Sequence, residues 1–179
     1  AAPTRVAHIP GADGPDPVVA LTDDSLLRDL APDGRLSELV RAAGEAFSGP
    51  AGADLRRATC LAVDPDLLAT VSEVADGRPV VIDRGSGPAA PGDEARAERD
   101  DEVTPAGDGA GDAGRWLGEL RALAEGGCVV TLPAAQSDLD AVGRVGDATL
   151  TATALDRAGT VRRVLGVDPV PDLVVPASG

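Results

Sequence analysis

Aromatic side chains are almost missing from this chain: one Trp, one Phe and no Tyr in 179 residues, and no Met. Flat π faces serve as stacking platforms for unpaired bases and for sugar rings. Their scarcity argues against a single-stranded nucleic-acid binder and against a sugar groove floored by rings. Lysine is absent as well, because all sixteen basic residues are Arg, which reads as the imprint of a GC-rich genome. Acidic residues outnumber them, for a formal net charge of −14. A phosphate backbone would meet a repulsive average field, so no nucleic-acid partner is expected. No run is long and apolar enough to span a bilayer, and no basic segment leads into an apolar one near Ala1. We therefore expect a mature or excised piece of a larger protein, with membrane contact made only through regions outside this chain.

The single imidazole, His8, lies in a terminal segment beside Ile9 and Pro10. A Ser-His-Asp arrangement and a metal held by two His at helical spacing are both excluded, and no metal or cofactor is expected.

What the chain does contain is aliphatic and periodic. Its length suits one domain with a single sizeable core, taken as 1–179. Pro17 to Asp24 is a short apolar run ending in carboxylates, as a buried strand leaving a core would read. Leu36, Leu39, Val40, Ala43 and Phe47 recur at helical spacing until Ser48-Gly49-Pro50 breaks the pattern. Thr59 to Val63 reads as a buried strand. Asp64 then stands where an N-cap belongs, Pro65 in the first turn, and Leu67, Leu68, Val71 and Val74 form a stripe ending at Gly77.

Pro79 to Ile82 makes a third short strand. From 85 to 111 the chain turns Pro-, Gly- and acid-rich, and it is expected to be a flexible insertion. Helical spacing returns at Trp116, Leu117, Leu120, Leu123 and Ala124, stops at Gly126-Gly127 and leads into a strand from Cys128 to Leu132. Ser137 with Asp140 reads as a capping-box start for a helix through Val145. Ala148 to Ala158 and Thr160 to Leu165 read as helical, and Asp172 to Val175 as a last, uncovered strand. This alternation predicts an α/β fold built on a parallel sheet, either open or part of a (β/α) barrel.

Cys60 and Cys128 each begin an apolar strand, and neither has the neighbours of a zinc or redox motif. Parallel neighbouring strands lie about 4.8 Å apart, inside the Cα window of roughly 4.4 to 6.8 Å that a disulfide needs. A Cys60–Cys128 bridge is therefore expected, constraining the unfolded chain by about 4 kcal/mol. The alternative is a pair of buried thiols in a reducing compartment.

Three stretches carry a resemblance: Thr22 to Leu36, Leu61 to Leu68, and Trp116 to Arg121 leading into Val129–Pro133 and Ser137–Leu139. In their order they resemble a family of exported, membrane-anchored actinobacterial cell-envelope proteins of unknown function. Its members have a central α/β region and are often encoded beside the flippase for lipid-linked peptidoglycan precursors. The resemblance implies an extracytoplasmic place and a role in cell-wall assembly, with cell-wall glycan or envelope proteins as partners. It carries over no catalytic residue. Thr22-Asp23-Asp24 is also similar to the strand-end Asp pair of polysaccharide-deacetylase and glycoside-hydrolase barrels, although the His ligands of a zinc deacetylase are lacking.

Ligand sites of parallel sheets gather where strands end. Asp23, Asp24 and Asp64 follow strands, and Asp138 and Asp140 lie near that edge. Converging carboxylates would serve a glycoside hydrolase as acid and base or hold a hard cation. The plain alternatives are an N-cap for Asp64, favourable helix-dipole positions for Asp138 and Asp140, and solvated turns for the rest. Arg56-Arg57 and Arg162-Arg163 would meet an anionic glycan or head group, or else form surface ion pairs. The expected function is an envelope scaffold or binding domain, with a carbohydrate-active hydrolase as the alternative.

Overall fold

The apolar stripes read above converge on one core. The computed structural model describes residues 19–21, 24–82, 103–104, 107–171 and 173. Strand β1 (Val19–Leu21) leads through the helices α1 (Ser25–Leu30), α2 (Arg35–Ser48) and α3 (Gly52–Ala58) to β2 (Cys60–Val63). Then follow α4 (Pro65–Ala75), β3 (Val80–Ile82), β4 (Val103–Thr104), α5 (Gly107–Ala124) and β5 (Cys128–Thr131). A 3-10 turn (Ala134–Gln136) precedes α6 (Leu139–Val145), α7 (Ala148–Leu155) and α8 (Ala158–Leu165).

The α/β class holds, with helices predominating. The strands do not form one alternating sheet. β2 and β5 pair in parallel, while β1, β3 and β4 form a second sheet in which β3–β4 is antiparallel. No closed barrel forms among the described strands. Helices follow one another between β1 and β2 and again after β5, so the strict strand-helix rhythm fails at both places.

Helix α5 is the centre of the packing. Ala113, Trp116, Leu117, Leu120, Leu123 and Ala124 fall at i, i+3, i+4 spacing and are all buried. They meet Leu68, Val71 and Val74 of α4, Val40 of α2 and Val164 of α8, with Val19, Val63, Val80 and Val129 from the strands in the same cluster. The lone Trp satisfies its one polar atom inside this core, Nε1 donating to the Leu36 carbonyl at 3.1 Å.

Two turns depend on glycine. Ala31 precedes Pro32 and takes an extended conformation that ends α1. The chain then folds back so tightly that a Cβ on Gly34 would lie 2.2 Å from the Arg28 carbonyl oxygen. At the α2–α3 turn, a Cβ on Gly52 would lie 2.0 Å from the Phe47 carbonyl oxygen. Helix α3 is an addition to the expected pattern: after the expected break at Ser48-Gly49-Pro50 the chain turns helical again at Gly52.

The register of β2 on β5 places Cys60 opposite Cys128. They form the expected disulfide, with Cα atoms 4.4 Å apart. β2 is less enclosed than a buried strand, because it has a neighbour on one side only; Cys60 and Ala62 are exposed and Val63 is buried. Strand β4 and residues 107–111 of α5 fall within the 85–111 segment, whose remaining residues lie outside those described. The last strand expected at 172–175 also lies outside them, apart from Leu173. Just before it, the Val170 N–H donates to the Val129 carbonyl at 2.8 Å, which brings Val170 alongside β5.

Gly52→Ala and Gly34→Ala are each expected to destabilise the fold by about 1 to 3 kcal/mol. Gly118→Ala, where a Cβ meets nothing within 4 Å in the interior of α5, is expected to stabilise it by about 0.5 to 1 kcal/mol. Urea midpoints at unchanged slope check both signs. Reducing the disulfide, whose sequence separation is 68, is expected to remove about 4 kcal/mol. Calorimetry with and without reductant reads this as a fall in Tm; an unchanged Tm would contradict it.

Candidate functional site

The parallel pair β2–β5 ends with Val63 opposite Thr131, and the chain leaves both strands at the same edge. Asp64 follows β2 and caps α4. Its Oδ1 accepts the N–H groups of Asp66 at 2.9 Å and Leu67 at 3.2 Å. Its Oδ2 faces Gln136 Nε2 at 3.4 Å. Asp66, in the first turn, accepts the backbone N–H of Ala135 through Oδ2. Two carboxylates of α4 thus hold the strap that follows β5.

That strap is strained. Ala135 and Gln136 have φ of 49° and 50°, in the left-handed region that residues with a Cβ enter at a cost of about 1 to 2 kcal/mol each. The Asp66 bond and the donation of Ser137 Oγ to the Ala134 carbonyl fix it there. At the end of β5, Thr131 Oγ1 is buried without a hydrogen-bond partner among the described residues.

Of the carboxylates proposed for catalysis, the two that are described each stand at the start of a different helix. Asp23 lies outside the described residues, as does His8. Asp24 stands at the N-cap position of α1 without making a cap bond and instead pairs with Arg28 at 2.9 Å. Asp64 is an N-cap, as its sequence position allowed. Asp138, rather than Ser137, caps α6, accepting from Asp140 N at 3.0 Å and Ala141 N at 3.1 Å. Ser137 stands one residue before the cap position, and its hydroxyl is turned back on the Ala134 carbonyl. No group of three or more His, Cys, Asp or Glu able to hold a metal is present among the described residues.

A second feature is a groove between helices. Helices α2 and α5 border an open groove of about 580 Å³, which Arg56 of α3 also lines. Ser37, Arg41, Gly44 and Ser48 repeat along α2 at spacings of four, three and four, and Arg115 and Glu119 face them from α5. Arg56 sits with its guanidinium 4.8 Å from the centre of the Phe47 ring, and its Nη1 donates to the carbonyls of Leu123 at 3.1 Å and Glu125 at 3.3 Å. It closes the C-terminus of α5, where the helix dipole favours a cation.

Arg115 donates to Asp112 at 2.8 Å and to the Leu30 carbonyl at 3.0 Å. Arg41 pairs at the surface with Glu45 at 3.0 Å. Of the four basic residues singled out in the sequence, Arg57 pairs with Asp54 and Arg162 with Asp168, as surface ion pairs would. Arg163 makes one long contact, 3.5 Å to Thr160 Oγ1, and only Arg56 lines the groove. The stripe of small and basic residues on α2 was available in the sequence. Its meaning was not, because the opposing Arg115 and Glu119 stand more than sixty positions away.

Asp64→Ala is expected to destabilise the fold by about 1 to 2 kcal/mol, and Asp64→Asn by only a few tenths, because an Asn oxygen still caps the helix. Thermal melts of the two variants distinguish a cap from a catalytic carboxylate, which would leave stability unchanged in both.

No family model, no curated protein and no solved structure matches this chain.

Proposed function

We propose that this chain is an extracytoplasmic binding or scaffold domain of a cell-envelope protein. In this reading segments outside the sequence anchor it to the membrane, and the domain supports cell-wall assembly through contacts with wall glycan or envelope proteins. The observation that carries the reading is the Cys60–Cys128 disulfide, with Cys60 exposed on the one-sided strand β2. An accessible disulfide persists in an oxidising compartment and is reduced in a cytosol buffered by thiols. The three stretches similar to exported actinobacterial envelope proteins point to the same place.

Binding is favoured over hydrolysis by the use to which the carboxylates are put. A glycoside hydrolase needs two carboxyl groups facing each other across a bond. Asp64 is occupied by the α4 amides and Asp24 by Arg28. A groove walled by helices, with charged and hydroxyl side chains, fits a surface that holds a polar partner.

The test is co-sedimentation of the oxidised protein with purified peptidoglycan sacculi, together with alkylation of the protein taken directly from its native cells. Saturable sedimentation without release of soluble sugar, and two cysteines closed to alkylation, are expected. Free thiols in a cytosolic fraction would overturn the compartment; release of soluble fragments that is lost in Asp24→Asn or Asp64→Asn would establish the hydrolase instead.

A further inference from the structure

We infer that the groove between α2 and α5 binds a carboxylate-bearing ligand, with Arg56 as the residue that holds the carboxylate. This rests on the binding-domain reading above and names the class of ligand that such a domain takes.

The groove, at about 580 Å³, is of the size that accepts small molecules or one or two units of a polymer. Arg41, Arg56 and Arg115 line it, with Glu119 as the one carboxylate among its lining residues. These arginines are not equivalent. Arg115 is committed to Asp112 and the Leu30 carbonyl, and Arg41 to Glu45. Arg56 has no carboxylate partner among the described residues, and its hydrogen bonds there both run from Nη1 to neutral carbonyls.

That arrangement leaves the Nε–Nη2 edge of Arg56 without a hydrogen bond among the described residues. Two parallel N–H groups on such an edge match the two oxygens of one carboxylate. The Phe47 ring and the α5 carbonyls already fix the guanidinium, so a ligand need not order it on binding. Ser48, at the exposed end of α2, adds a hydroxyl to the same wall. One uncommitted guanidinium suits a monoanionic carboxylate better than a phosphate, whose higher charge calls for several. With few aromatic faces in the chain, recognition falls to this charge contact and to hydroxyls. An acidic sugar and a peptide C-terminus both present the required group.

The experiment is a titration of the oxidised full chain, followed by amide NMR shifts, with glucuronate, alanyl-alanine, glucose and inorganic phosphate as separate probes. Saturable shifts at Gly44, Ser48 and Arg56 with glucuronate or the dipeptide, and none with glucose, are expected; which of the two acts identifies the source of the carboxylate. Arg56→Gln is expected to weaken binding about tenfold or more. Because Arg56 also closes α5, Gly44→Val serves as a second variant. A Cβ there would lie 3.7 Å from Leu123 Cδ2, an ordinary contact, while the added bulk narrows the groove. No saturable shift with either carboxylate, equal shifts with glucose, or tighter binding of phosphate would overturn the inference. Sacculus binding unaffected by both variants would remove the groove and leave the binding-domain reading standing; carboxylate binding without sacculus binding would do the reverse.

Discussion

The parallel register of β2 on β5 is the constraint from which most of this structure follows. With Cys60 opposite Cys128, the two sulfurs come within bonding reach. With Val63 opposite Thr131, both chains leave the pair at one edge. Asp64 then caps α4 while Asp66 receives the strap that follows β5. A shift of one residue would separate the cysteines and turn each side chain of β2 to the other face. The disulfide locks the register at one end, and the Asp66–Ala135 bond ties the other.

Helices supply the rest of the stability, and arginine joins their ends. Arg56 closes the carbonyl end of α5, Arg115 donates to the last carbonyl of α1, and Arg121 Nε donates to Val164 of α8 at 2.7 Å. Each places a cation where the helix dipole is negative and satisfies a carbonyl that the helix itself leaves open. In a strongly acidic protein this is economical use of its few positive charges, because the same side chains tie α1, α3, α5 and α8 together. It also leaves Arg56 with an edge that makes no hydrogen bond among the described residues, the property on which the ligand inference depends.

The carboxylates follow the opposite rule. Asp64, Asp138 and Asp147 each accept two first-turn amides at a helix start. An acidic residue just after a strand is therefore ambiguous by construction. A ligand edge and a helix N-terminus occupy the same place in an α/β fold, and both attract Asp. The partner set decides between them, and for Asp64 that set is made of amides.

Local features were legible in the sequence because their causes are local. The stripe of α4, the Asp64–Pro65 start, the stop at Gly77 and the core face of α5 follow from spacing and from the conformations of Pro and Gly. The Cys60–Cys128 pairing was also legible, since two cysteines at equivalent strand positions become neighbours once the strands are parallel. Long-range geometry decided the remainder. The split into two small sheets depends on which short strands meet, and nothing within a three-residue strand such as Val19–Leu21 states its neighbour. The left-handed pair Ala135-Gln136 carries no local mark, because it is held by an aspartate 69 positions away. The groove, likewise, exists only where α2 and α5 pack side by side. The sequence by itself determined the stripes of α2, α4 and α5, the Asp64 cap and the cysteine pairing, because each is set by residues within a turn or by strand geometry. Only the tertiary structure decided which arginine is left with an open edge, because that depends on which carbonyls and carboxylates the folded chain brings to it.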